Sequence, residues 1–204
     1  MKIFLIFVSL FLWLGLHSQP DGVPGSTAYG IKSGKIVYHF NNLMQEGTTT
    51  VIFDDSGRYV KTITEAHLIV DKAGFAAMDT NMAKALRVNT RRLTIRTPDM
   101  QYVEELDSLR GYRQARGLVV TPESLFGDKL KVTGKDTVLG RPCVITEIVG
   151  GIRVWSWLGI ALKTETIAEG DGPKAEVTAI SIDEHYRIRP NEFVIPKNAR
   201  VETH

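Results

Sequence analysis

A chain of 204 residues that is 43% hydrophobic and 24% charged has ordinary globular composition, which excludes disordered, collagen-like and low-complexity classes and argues for about one domain. Its 25 lysines and arginines nearly balance 23 acids, and no basic run exceeds Arg91-Arg92, so nucleic acid is not an expected partner. Cys143 is the single cysteine; no internal disulfide can form, and stability must come from burial.

Residues 1–18 read as a secretory signal peptide. Met1-Lys2 supplies the positive start, Ile3 to Leu14 is apolar and uncharged, and Gly15-Leu16-His17-Ser18 ends it in mostly small or polar residues. The apolar stretch is too short for a comfortable membrane span, so the mature chain is expected in an exported compartment. Residues 19–33 read as a flexible leader, rich in Pro, Gly and Ser up to Thr27, and residues 34–204 as the domain.

Lys35 to Phe40 alternates, with Ile36, Tyr38 and Phe40 on one face, and predicts a first strand. Thr48 to Phe53 and Arg58 to Thr64 flank Asp54-Asp55-Ser56-Gly57 as a hairpin. His67 to Asp71 and Phe75 to Asp79 repeat that layout around Lys72-Ala73-Gly74. Asn81 to Val88 fits either a helical turn or an extension of the preceding strand. Thr97-Pro98-Asp99 has the chemistry of a helix start, Tyr102, Val103, Leu106 and Leu109 follow at helical spacing, and Gly111 ends the run. Thr121-Pro122-Glu123 starts a shorter helix through Leu125-Phe126 to Gly127. Strands then resume over Leu130–Val138, Cys143–Val149, Ile152–Leu158, Ile160–Ile167 and Glu176–Asp183, and Pro190 to Pro196 reads as a last edge segment. Strands, a helical insert, then strands make an α+β layout with a mainly antiparallel sheet.

The region from Val138 to Ile167 is the densest in apolar residues. In it Ile152, Val154, Ser156 and Leu158 point one way while Arg153, Trp155 and Trp157 point the other. Both sets are too apolar for a sheet with water on one side, so a layer of short helices or a bound apolar ligand is expected over one of them. Trp155, Trp157, Leu106, Leu109, Leu125 and Phe126 are the candidate lining of a cavity between sheet and helices, set against the ordinary reading that they pack on one another as core.

Catalytic chemistry does not converge anywhere. His39, His67 and His185 fall on separate segments without the close pairing zinc requires. Asp54-Asp55-Ser56-Gly57 lacks the alternating acids and distant glutamate of a calcium loop. Neither a G-x-S-x-G elbow nor a glycine-rich phosphate loop occurs, and Cys143 on a strand reads as a small buried hydrophobe. No enzyme activity, cofactor or metal is expected.

Three stretches carry a resemblance: Leu139-Gly140-Arg141-Pro142-Cys143, Val154-Trp155-Ser156-Trp157-Leu158-Gly159-Ile160-Ala161-Leu162-Lys163-Thr164-Glu165, and Phe193-Val194-Ile195-Pro196. In this order they resemble exported domains of Gram-negative envelopes in the superfamily of LolA-like periplasmic lipoprotein carriers, with Ala161 where that pattern commonly has proline. The resemblance implies an incomplete antiparallel β-barrel, or half-barrel, with short helices covering the concave face. It also implies periplasmic localisation. The carriers' early-strand arginine has only a loose positional counterpart in Arg58, so no role passes to that residue. The expectation is a non-catalytic periplasmic protein binding an acyl chain or other hydrophobic ligand, possible partners being the lipid of a lipoprotein or an envelope protein. The alternative is a structural or interaction module with a self-filled core.

Overall fold

A computed structural model describes residues 29–42, 45–69, 89–106, 110–115, 130–148, 151–166, 175–197 and 200–201. The first half of the chain supplies β1 (Gly34–Asn41), β2 (Gln45–Asp54), β3 (Tyr59–Leu68), β4 (Asn89–Arg96), β5 (Met100–Glu105) and β6 (Arg110–Ala115). The second supplies β7 (Leu130–Val138), β8 (Arg141–Ile148), β9 (Ile152–Trp157), β10 (Ile160–Thr166), β11 (Glu176–Asp183) and β12 (Arg200–Val201). All join one sheet in the order β12-β6-β5-β4-β3-β2-β1-β11-β10-β9-β8-β7. Neighbours are antiparallel except β12, which runs parallel to β6. The chain thus begins mid-sheet, meanders out to β6, resumes at the far edge with β7 and meanders back until β11 lies beside β1.

Strands form where β-branched and aromatic residues alternate with polar ones, and two-residue turns join them where glycine tolerates a left-handed backbone. Leu139-Gly140 and Leu158-Gly159 both have positive φ at each position and join β7 to β8 and β9 to β10. The expected strands over 35–40, 48–64, 130–167 and 176–183 are present with small shifts at their ends.

The helix expected from Thr97 is instead a hairpin. Thr97 N–H donates to the Met100 carbonyl at 2.9 Å, and the Thr97 hydroxyl lies 3.2 Å from the Met100 amide and carbonyl. A capping threonine serves a tight turn by the same hydrogen bond that would cap a helix. Tyr102 and Val103 then lie in β5, and the Leu106 amide donates to the Arg91 carbonyl of β4 at 2.8 Å. The only helix among the described residues is one 3-10 turn, Asp55–Gly57, so helices covering the concave face are not seen there. The second expected helix and the segments 75–79 and 81–88 lie outside the described residues. β4 was not anticipated, and His67 continues β3 rather than opening a new strand.

The sheet curls. Consecutive residues of the expected leader bind two turns from different halves: Tyr29 N–H donates to Ser56 O at 3.0 Å and Gly30 N–H to Leu158 O at 2.8 Å. In a flat sheet β2 and β10 are three spacings apart, about 14 Å, whereas adjacent Cα atoms are about 3.8 Å apart. Curvature toward the Tyr38 face closes that gap. The same bend lets the Tyr38 hydroxyl of β1 pass over β11 and donate to the Ala161 carbonyl of β10 at 3.0 Å. That carbonyl adjoins a bulge between Ala161 and Lys163, where the ladder is interrupted and an acceptor needs a partner. This open, curved sheet agrees with the half-barrel part of the expected architecture.

The convex face carries a strap in place of the edge strand expected over 190–196, whose residues join no ladder. After β11 the chain is held by Glu184 to Arg141, by Tyr186 under the Lys35 ammonium at 5.7 Å, and by Phe193 against Tyr59 at 5.9 Å. Its firmest anchor is Glu192, whose side chain is 6% exposed and accepts from Lys61 Nζ at 2.8 Å. Lys61 is itself only 22% exposed, so the pair lies between the surface and buried regimes. Glu192→Ala is expected to lower unfolding free energy by about 2 kcal/mol in urea titration. A loss below about 0.5 kcal/mol, the scale of an ordinary surface change, would mean that the strap is held elsewhere.

Candidate functional site

The concave face is the candidate site. The core beneath it combines Tyr29, Ile36, Tyr38, Val51, Phe53 and Val60 with Cys143, Trp155, Ile160, Leu162 and Ala179. At one end Tyr29 forms a plug: its ring meets Phe53 edge-on at 4.8 Å and rests on Gly57, where an added Cβ would lie 2.8 Å from the ring. Positive φ at Asp55, Ser56 and Gly57 folds the β2–β3 turn under that ring. Burial pushes the Tyr29 hydroxyl up to about 12, although the nearby Arg96 guanidinium pulls the other way. Tyr38 is raised well above its ordinary range, chiefly by burial. Both phenols are neutral at physiological pH, so this end of the hollow carries no negative charge.

Beyond the plug, strand register lines up one row on the concave face. Ala66, Gly47, Phe40, Val177, Thr164 and Val154 stand opposite one another across β3, β2, β1, β11, β10 and β9. The row ends at Thr90 of β4 on one side and at Thr146 and Val132 of β8 and β7 on the other. It contains no charged residue on any strand from β4 across to β7. Phe40, Thr164 and Val154 are each under 5% exposed. Above it the Thr49 and Thr64 hydroxyls meet at 3.2 Å, which satisfies the fully buried Thr49 within the sheet.

The two candidate tryptophans belong to this core, Trp155 as a member and Trp157 packed against it, although register sets Trp155 on the strand face opposite to Val154. Trp155 is paired with Ile145 and Lys163, whereas Val154, on the row, is paired with Thr146 and Thr164. The Trp155 indole N–H donates to Asp136 at 3.1 Å, and its ring lies under the Lys163 ammonium at 4.8 Å and near the Arg153 guanidinium at 5.9 Å. Those cations are knitted to Glu147, Glu165 and Glu176 across β8 to β11. Trp157 packs against the Arg141 guanidinium at 5.3 Å. Hydrogen bonds from the Thr137 amide and then from Trp155 hold the Asp136 carboxyl below its usual value. The tryptophans are therefore paved by ionic side chains. Leu106 is half-buried in the turn after β5, while Leu109, Leu125 and Phe126 lie outside the described residues. The structure brings Trp155 and Trp157 together and does not join Leu106 to them.

Sequence reasoning missed the plug and the row. Alternation of Ile36, Tyr38 and Phe40 marked the right face of β1, but the row is a product of register, which a single strand does not reveal. Cys143 is buried, and burial raises its thiol above the ordinary range, so it stays protonated at neutral pH. Among the described residues no group of three His, Cys, Asp or Glu could hold a metal, and no helix is long and apolar enough to cross a membrane.

No family model and no curated protein sequence matches the chain. Among solved structures, an uncharacterized conserved protein from Thermus thermophilus superposes with a TM-score of 0.50 at 9% identity, covering 84% of this chain and 90% of that one. At that identity the likeness is one of fold. The MucA/MucB complex of Pseudomonas aeruginosa gives 0.46 at 11% identity over 84% of this chain, and MucB in complex with MucA(peri) gives 0.47 at 11% over 96%. The chain spans 58% and 62% of the lengths of those two matched chains.

Proposed function

We propose that this chain is a non-catalytic exported module of the cell envelope that holds an acyl chain or a similar apolar ligand along the uncharged row of its concave face. The observation carrying this reading is the row itself: the nine aligned positions from Thr90 to Val132 carry no ionic side chain. The ionic side chains described around Trp155 lie on the other face, and the Tyr29 plug supplies a stop at one end. Because Phe40, Thr164 and Val154 are buried in the chain alone, a ligand enters by displacing what covers them. Each buried methylene contributes about 0.8 kcal/mol toward that opening.

Mass spectrometry of an organic extract of the natively purified chain is expected to find copurifying lipid, and a fluorescent fatty acid is expected to bind it saturably. Thr146→Glu places a charge at a half-buried position on the row and is expected to weaken the fatty acid about tenfold, the effect of roughly 1.4 kcal/mol. Arg153→Ala, on the other face, leaves binding unchanged. Absence of lipid together with absence of probe binding overturns the reading. A second reading, an interaction module whose interior is filled by its own side chains, is favoured by the Tyr29 plug and predicts that negative result.

A further inference from the structure

The plug carries a hydroxyl that its packing does not use. Tyr29 is 2% exposed, and its phenol oxygen has no hydrogen-bond partner among the described residues. Phenylalanine would fill the same space and meet Phe53 in the same way without burying a polar atom unpaired, which destabilises a fold. The phenol is protonated at neutral pH, so it is a donor in need of an acceptor. Arg96 is the charged group beside it. Register sets Arg96 opposite Val60, a core residue of the concave face, so both lie on that face. The guanidinium is near enough for its charge to act on the Tyr29 phenol without meeting it in hydrogen-bonding geometry. Gln101, half-buried, stands opposite Arg96 on β5 and adds an amide. A phenol donor, a guanidinium and an amide suit an oxyanion. The single positive charge of Arg96 matches a carboxylate, whereas a phosphate monoester would bring nearly twice that charge into a partly buried place.

An uncharged path joins this end to the row. Between Val60 and Ala66 the concave pairs of β2 and β3 are Val51 with Thr62 and Thr49 with Thr64, none of them ionic. Those six positions along β3 cover about 20 Å, within the reach of a long acyl chain. We infer that the ligand of the concave face is a free fatty acid, its carboxylate accepting from the Tyr29 hydroxyl beside Arg96 and its chain running down β2 and β3 to the uncharged row. This inference rests on the acyl-binding reading and narrows it, since an esterified head keeps the chain but loses the charge that Arg96 answers.

A fluorescent fatty acid and its methyl ester, each titrated against the natural chain at neutral pH, test it. The acid is expected to bind about tenfold more tightly than the ester. Tyr29→Phe and Arg96→Gln are each expected to weaken the acid toward the ester and to leave the ester unchanged. Tyr29→Phe is also expected to keep or raise the urea midpoint at neutral pH, which separates a lost ligand contact from a damaged plug and covers the case in which Arg96→Gln folds poorly. Equal affinity of acid and ester for the natural chain, or a preference for the acid that survives either substitution, overturns the inference and leaves the acyl-binding reading standing. Binding of neither probe overturns both.

Discussion

Gly47→Ala is expected to destabilise the protein by about 3 kcal/mol, at the upper end of what overpacking a sheet interior costs. A Cβ at this position would overlap the Glu65 carbonyl oxygen and lie 2.8 Å from Ala66 Cα and 2.9 Å from the Phe40 ring. Two of these are backbone atoms of β3, directly paired with Gly47, so no side-chain rotation relieves the contact. Either β2 and β3 part, or Phe40, only 3% exposed, leaves the concave row. Urea unfolding should show the loss as a lower midpoint with an unchanged slope. Gly134→Ala is the control: its nearest neighbour would be Ile145 Cδ1 at 3.6 Å, ordinary contact, and a change within about 0.5 kcal/mol is expected. If both variants unfold alike, the close approach of β2 to β3 is not a determinant of the fold.

Alkaline titration should remove a comparable amount of stability through Tyr29. Its hydroxyl is raised from 10.0 to about 12 in the folded chain by burial. A pKa raised on folding means that the folded state holds its proton more tightly, so this contribution is fully present below pH 10. It falls away as the pH climbs from 10 through about 12. Two units correspond to about 3 kcal/mol. Tyr38 shifts the same way and adds to the slope. Unfolding free energies measured between neutral pH and the alkaline limit should therefore decline from near pH 10, and Tyr29→Phe should flatten part of the decline. An unchanged slope in that variant would place the plug in solvent rather than in the core.

Most strands were legible because alternation and glycine turns are local signals: Leu139-Gly140 and Leu158-Gly159 mark hairpins by residue type alone. The helix expected after Thr97 went wrong for an equally local reason. Thr-Pro-Asp serves a helix start or a four-residue turn, and Tyr102 and Val103 suit either period; pairing with β4 decided the matter. β4 itself was passed over because Arg91, Arg92 and Arg96 dilute the alternation of Leu93 and Ile95, which the cross-strand bonds of Arg91 to Glu65 and Arg92 to Glu105 make compatible with a strand. Pro190 to Pro196 looked like an edge because it holds apolar residues; Phe193 docks on Tyr59 instead, while Val194 stays exposed. The candidate site was hardest to read. Trp155 and Trp157 stand out by size and do join the core, whereas the uncharged row is built from Gly47, Thr164 and Val154, unremarkable residues until register aligns them.

The pairing of β1 with β11 also has a consequence for how the chain is completed during synthesis. Every other antiparallel pair joins consecutive strands, so each meander can zip up from its neighbours as it emerges. The seam between the meanders must wait for Glu176–Asp183, and closing so large a loop makes it a late step. Until then β1 shows an unsatisfied border, the kind of transient surface on which nascent chains stick to one another. Helpers that shield newly made chains would matter most in that interval, and substitutions weakening only the seam would lower yield before they altered the finished molecule.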